Sequence, residues 1–134
     1  DDVVTGGHGR DRIFGGNGND DIDAGAGNDW VSGGAGDDVI HAGNGKFDKV
    51  AGGAGADTFV FSAAFAQDGS RDKTVILDFD VTADMLDLGG AVIESIREHR
   101  NRVEISLEGG RDKIMLNNVH EADEIVFVNE LSVV

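Results

Sequence analysis

The sequence predicts an all-β fold: short parallel strands wound into a flattened helix over residues 1–62, closed by an antiparallel β region over residues 63–134. Three observations predict it. A nine-residue pattern recurs six times between residues 6 and 60. Residues 1–62 hold 16 of the 21 glycines and 11 aspartates but no glutamate, whereas a merely solvated acidic face would mix the two acids. Residues 63–134 hold all 7 glutamates and instead alternate apolar and polar side chains in short runs, the period of a half-buried strand.

In register, the first half reads GGHGRDRIF (6–14), GGNGNDDID (15–23), AGAGNDWVS (24–32), GGAGDDVIH (33–41), AGNGKFDKVA (42–51) and GGAGADTFV (52–60). Glycine holds position two (Gly7, Gly16, Gly25, Gly34, Gly43, Gly53) and position four (Gly9, Gly18, Gly27, Gly36, Gly45, Gly55). Aspartate holds position six as Asp11, Asp20, Asp29, Asp38 and Asp57, and the extra residue of the fifth copy delays Asp48 by one place. Position eight, shifted likewise in that copy, is apolar throughout: Ile13, Ile22, Val31, Ile40, Val50 and Phe59. A disordered glycine-rich linker would not keep aspartate and apolar residue in step.

Each element follows from this spacing. The glycines allow a tight turn with left-handed backbone angles and leave room for another loop to approach. Three residues then form a strand whose middle side chain points inward. Two repeats, 18 residues, make one turn with a parallel sheet on each face. Strands about 4.8 Å apart stack each loop over the loop two repeats earlier. Aspartates on stacked loops therefore approach one another, and their repulsion calls for a cation. Hard oxygen ligands with free carbonyls nearby select Ca²⁺ over Zn²⁺ or Cu²⁺.

In the second half, DTFVF (57–61), TVILDFDVTADMLDL (74–88), VEISLEGGRDKIML (103–116) and DEIVFV (123–128) read as strands. Val103, Ile105 and Leu107 share a face, and Glu108–Gly109–Gly110–Arg111 makes a hairpin turn before Ile114 and Leu116. Residues 62–67 (SAAFAQ) and 91–100 are assigned helical turns.

Composition excludes several functions. A formal charge of −15 argues against nucleic acid and anionic membranes as partners. With no cysteine there is neither disulfide nor thiolate metal site, and no apolar run is long enough to span a bilayer. The opening DDVVTGG lacks Met and starts partway into the pattern, as in the C-terminal piece of something longer. Asp78, Asp80, Asp84 and Asp87 cluster, but Thr82 and Ala83 break an EF-hand loop, so turn capping is the favoured role. His8, His41, His99 and His120 show no metal-ligand spacing, and HEADE (120–124) has Glu124 where a zinc-protease motif needs its second His. Arg97, Arg100 and Arg102 read as a solvated face. No catalytic motif is present, so the chain reads as non-enzymatic.

The motif G-G-x-G-x-D-x-U-x resembles that of the repeats-in-toxin (RTX) proteins. The resemblance implies a parallel β-roll with Ca²⁺ held between loops n and n+2, each loop serving two ions. It implies carboxylate ligands from Asp11, Asp20, Asp29, Asp38 and Asp57. The main-chain oxygens would come from Gly7, Gly9, Gly16, Gly18, Gly25, Gly27, Gly34, Gly36, Gly53 and Gly55. Ala24 and Ala42 at position one, and the Lys46–Phe47–Asp48 bulge, depart from the motif, which sets Asp48 apart. Pairing loops 1–3, 2–4, 3–5 and 4–6 gives about four ions, or a fifth if Asp78 or Asp84 shares one with the last loop. In that scheme only loops three and four have partners on both sides.

The second half resembles the cap that follows the repeats in serralysin-type metalloproteases. The implied function is a monomeric, Ca²⁺-dependent folding and export module of a bacterial protein secreted through a type I ABC transporter. The tail DEIVFVNELSVV fits the outline of such an export signal. An alternative is a carbohydrate- or surface-binding module of an adhesin or polysaccharide-modifying enzyme. A polyuronate-binding face would need a basic stripe along one sheet, and the first half has only Arg10, Arg12, Lys46 and Lys49. A third, a free Ca²⁺ buffer, would not need a cap.

Overall fold

A computed structural model describes residues 1–62, 71–108, 111–119, 122 and 125–128. The repeats form seven strands: β1 (Val3–Thr5), β2 (Arg12–Asn17), β3 (Asp21–Asp23), β4 (Trp30–Ala35), β5 (Val39–His41), β6 (Asp48–Ala54) and β7 (Thr58–Val60). Odd strands pair in parallel in one sheet, even strands in the other, and the chain crosses between sheets at every repeat. Val3 faces Asp21 and Arg12 faces Trp30, a step of 18 residues. Beyond the fifth repeat Trp30 faces Lys49 and Val39 faces Thr58, so its extra residue is absorbed within one loop. Every position-eight side chain lies in the thin core between the sheets, from Ile22, Val31, Ile40 and Val50 at 0% exposure to Ile13 at 6%.

Three-residue strands, as expected, occur in β3, β5 and β7. The opposite strands β2, β4 and β6 run six, six and seven residues. The pairing runs on through their glycines, with Gly16 facing Gly34 and Gly34 facing Gly53, at positive φ of 107°, 121° and 107°.

Both sheets run across residue 62. β8 (Lys73–Ile76) pairs with β6, and β9 (Met85–Asp87) with β7, both in parallel. β13 (Val126–Val128) then adds to β9. Among the described residues antiparallel pairing is confined to β10 (Ile93–His99), β11 (Arg102–Leu107) and β12 (Lys113–Asn117), with β12 parallel to β8. The core continues through Ile76, Leu86, Leu88, Ile105 and Ile114, all at 0% exposure.

The helical assignment for residues 91–100 is wrong: β10 is a strand. Ile93 and Ile96, three apart, mimic helical spacing because a bulge lies between them. Ile93 pairs with Leu107, Ser95 with Ser106 and Ile96 with Ile105, so Glu94 is the inserted residue and both isoleucines share a face. The helical turn assigned to 62–67 and the Gly109–Gly110 turn fall outside the described residues, as does HEADE for the most part.

Because each repeat supplies one core side chain, losing one is costly. Ile40→Ala should destabilise the Ca²⁺-saturated protein by about 2–5 kcal/mol, measured by urea unfolding. Val39→Ala, on the outer face, should stay within about 0.5 kcal/mol.

Candidate metal centre

The loops stack along two opposite edges of the roll, and an aspartate starts each strand. Along one edge the N–H of Asp11 donates to Oδ1 of Asp29 (2.9 Å), and that of Asp29 to Oδ1 of Asp48 (2.8 Å). Along the other, the N–H of Asp20 donates to Asp38 Oδ1 (2.8 Å) and that of Asp38 to Asp57 Oδ1 (3.0 Å). One carboxylate oxygen per repeat thus ties each rung to the previous one.

The second oxygen has no such partner. Oδ2 of Asp11, Asp20, Asp29, Asp38, Asp48 and Asp57 is buried without a hydrogen bond, and Thr74 Oγ1 alone shares that condition among the described residues. A buried anionic oxygen without a donor costs several kcal/mol, so six of them in two rows demand an absent positive charge. The donor set is hard and all-oxygen. No three His, Asp or Glu side chains converge among the described residues, so a cation between loops would take one carboxylate per loop and complete its shell with carbonyls. These residues fit Ca²⁺.

Burial raises Asp48 to about 6, with Asp29 and Asp72 adding repulsion and the Asp29 N–H opposing it. Asp57 is likewise raised by burial to about 6, with Asp84, Asp38 and Asp78 adding to the rise. Burial also raises Asp29 and Asp38.

The glycines serve close approach between rungs. Gly27 has φ 141°, and a β-carbon there would collide with the Gly9 carbonyl oxygen; Gly36, at φ 135°, meets Gly18 in the same way. At position one, a β-carbon on Gly15, Gly33 or Gly52 would strike the carboxylate of Asp20, Asp38 or Asp57. Ala24 and Ala42 lie on the opposite edge and pack into the core at 0% and 2% exposure, which is why alanine is tolerated there. In the irregular fifth repeat Lys46 and Phe47 turn outward, while Asp48 is fully buried in the same role as its counterparts.

The rows extend past the repeats. Asp84 Oδ1 accepts the Asp57 N–H (2.9 Å), and Asp84 Oδ2 accepts that of Asp80 (2.8 Å). Asp78 takes the N–H groups of Gly52 and Gly53, both at 3.0 Å. Both residues therefore sit on the last repeat loop, with each of their oxygens already holding a donor. Asp80 and Asp87 hold turns through the N–H groups of Thr82 and Gly89.

Asp72 and Asp112 went unrecognised in the sequence. The Asp72 N–H donates to Asp112 Oδ1 (2.9 Å), and both residues are buried. Asp57 is consequently flanked by Asp38 and Asp84, so two-sided stacking is not limited to loops three and four. The signal is the tripeptide Asp-x-buried residue, seen in Asp11–Ile13 and again in Asp72–Thr74, Asp84–Leu86 and Asp112–Ile114 without any glycine motif. A second ladder at position five was also missed: Asn19 Oδ1 accepts the Asp37 N–H, Asp37 Oδ1 that of Ala56, and Asn28 Oδ1 that of Phe47.

Residues 1–22, 14–46 and 42–63 match the family model described as "RTX calcium-binding nonapeptide repeat (4 copies)". The first half of the chain therefore carries calcium-binding repeats of the RTX kind, a non-catalytic module. No curated protein sequence matches the chain. Among solved structures, the chain is similar to the AlgE6R3 subunit of the mannuronan C5-epimerase from Azotobacter vinelandii. The likeness has 26% identity and a TM-score of 0.64, and it covers 96% of this chain and 88% of that one.

Three outcomes follow from the geometry. Asp29→Ala and Asp38→Ala, flanked on both sides, should raise the Ca²⁺ midpoint of folding more than Asp11→Ala; calorimetry showing the reverse order would contradict the stacking. Gly27→Ala should cost at least about 1–2 kcal/mol from its backbone angle alone, read as a higher Ca²⁺ midpoint. Asp48 and Asp57 bind protons more tightly in the metal-free fold than in the unfolded chain. Metal-free stability therefore falls as pH rises from the ordinary 3.8 through about 6. Ca²⁺-induced folding starts from the unfolded chain, whose aspartates ionise near their ordinary 3.8, so its midpoint should stay nearly level from about pH 7 to about 5 and rise as pH falls toward about 4, followed by circular dichroism.

Proposed function

We propose that the chain is a Ca²⁺-dependent folding module of a larger secreted protein, one that keeps the polypeptide unfolded inside the cell and folds it outside. The observation that supports this most is the double row of buried aspartate Oδ2 atoms, one per repeat, each without a hydrogen-bond donor. The proposed ligands are Asp11, Asp20, Asp29, Asp38 and Asp57 with the loop glycine carbonyls, and Asp48 completes the fifth repeat. Pairing loops two repeats apart gives about four ions, with a fifth where Asp84 continues the row. Asp78 closes the last loop through its backbone donors.

The physical logic joins metal to export. Sixteen glycines in residues 1–62 carry a large ordering entropy, and the metal-free carboxylates repel. Binding energy is then folding energy. Extracellular Ca²⁺ modules bind at about 10⁻⁴–10⁻³ M, far weaker than cytosolic Ca²⁺ would require, so the chain stays threadable until it leaves. In this reading β8–β13 serve as a cap like that of serralysin-type proteins, shielding the open sheet edge from pairing with other chains. The export signal lies in the C-terminal tail, read by a type I ABC transporter of a bacterial cell.

Far-ultraviolet circular dichroism in EDTA should show a largely unfolded chain, and millimolar Ca²⁺ a β-rich one; matching β-rich spectra would sink the proposal. Mg²⁺ should substitute poorly, because it dehydrates reluctantly and demands stricter geometry. Deleting residues 129–134 should abolish export through the cognate transporter and leave Ca²⁺-induced folding of the purified chain nearly intact. Normal secretion of the truncated chain would remove the signal from this tail.

A further inference from the structure

The two outer faces of the roll differ in charge. The six strands of the β1–β3–β5–β7–β9–β13 sheet contain no lysine or arginine. The seven-stranded sheet carries Arg12, Lys49, Lys73, Arg97, Arg102 and Lys113. In sequence the basic residues look sparse because they are split between halves, but β8 brings Lys73 beside those of the repeats.

Around β2, β4, β6 and β8 these cations are interleaved with the rings of Phe14, Trp30 and Phe47. Arg12, Trp30 and Lys49 occupy one register row on successive strands. The Arg12 guanidinium lies 5.3 Å from the Trp30 ring centre, and Lys49 and Lys73 lie 5.7 and 5.6 Å from that of Phe47. Phe14, 60% exposed, packs against Trp30 with ring centres 4.9 Å apart. Among the described residues Arg12, Lys49 and Lys73 make no ion pair, whereas Lys113 is held by Glu104 at 2.8 Å. In a chain of net charge −15, cations left without carboxylate partners beside the exposed rings of Phe14 and Phe47 and the half-buried ring of Trp30 have a binding face's composition. A groove of about 520 Å³ runs between Arg10, Arg12, Trp30, Phe47 and Lys49.

We infer that this face binds one extended polyuronate chain, its carboxylates on Arg12, Lys49 and Lys73 and its sugar faces on Trp30 and Phe47. The spacing fits: Arg12 and Lys49 stand two strand steps apart, about 10 Å with Trp30 between them, close to two extended pyranose units, and Lys73 lies one strand further and two residues off that row. A duplex nucleic acid carries one charge per about 1.7 Å, too dense for these few cations on a strongly acidic protein. The guanidinium fork suits a carboxylate, and the ring faces suit the apolar C–H faces of a sugar. Asp11 and Asp29 close the loop end of the groove, and Ca²⁺ on them, as proposed above, neutralises their repulsion. To that extent the site rests on the Ca²⁺ reading.

The test titrates the 134-residue chain in saturating Ca²⁺ with a short oligomannuronate, following fluorescence of Trp30, its one tryptophan. Circular dichroism of each sample reports Ca²⁺-induced folding separately. Saturable quenching is expected, with affinity reduced about tenfold, about 1.4 kcal/mol, for each of Arg12→Gln and Lys49→Gln. Phe47→Ala, read the same way, should also weaken binding, with the Ca²⁺ midpoint of all three variants unchanged. No binding by a chain that folds normally with Ca²⁺ would overturn the site and leave the folding module standing. Wild-type affinity in the variants would overturn it too. So would equal binding of a neutral gluco-oligosaccharide, or tighter binding of a DNA duplex.

Discussion

A buried carboxylate oxygen with no donor is the constraint on which the rest of this molecule depends. From Asp20 onward each position-six aspartate uses Oδ1 to fasten its rung to the one before, and all six, Asp11 included, leave Oδ2 buried without a hydrogen bond. Left alone, the two rows of oxygens oppose folding, and burial already pushes Asp48 and Asp57 to about 6. In the proposed reading a divalent cation turns the same oxygens from a cost into ligands. The glycine pattern serves that arrangement, since a β-carbon on Gly15, Gly33 or Gly52 would occupy the carboxylate's own space.

The core is correspondingly thin. One apolar side chain per repeat, flanked by a glycine-rich loop, buries too little surface to offset the entropy of ordering those loops. The second half supplies what the repeats lack. Ile76, Leu86, Leu88, Ile93, Ile105 and Leu107 extend the same core without a break, and β10–β12 complete one sheet by antiparallel pairing. In the proposed reading the metal holds the loops and β8–β13 anchor the sheet ends.

Much of this was legible because it is periodic. The nine-residue register located every loop, the inward residue at position eight of each repeat and the fifth-repeat insertion, and the aspartates at position six are the ones the structure lines up. What escaped was whatever lacked the glycine signature. Asp72, Asp84 and Asp112 continue the rows on loops of irregular length, where only the short Asp-x-buried residue pattern survives. β10 read as helix because the bulge at Glu94 converts a two-residue period into a three-residue one. The basic face was hidden because strand order, not chain order, gathers Arg12, Lys49 and Lys73.

The most direct measurement of the central claim is the anomalous scattering of Ca²⁺ in crystals grown with the ion. The account predicts cation peaks in two rows, one along each loop edge, each in contact with Oδ2 of a position-six aspartate and with glycine carbonyls of a loop two repeats away. Peaks confined to exposed carboxylates, with those Oδ2 atoms meeting only water, would contradict it.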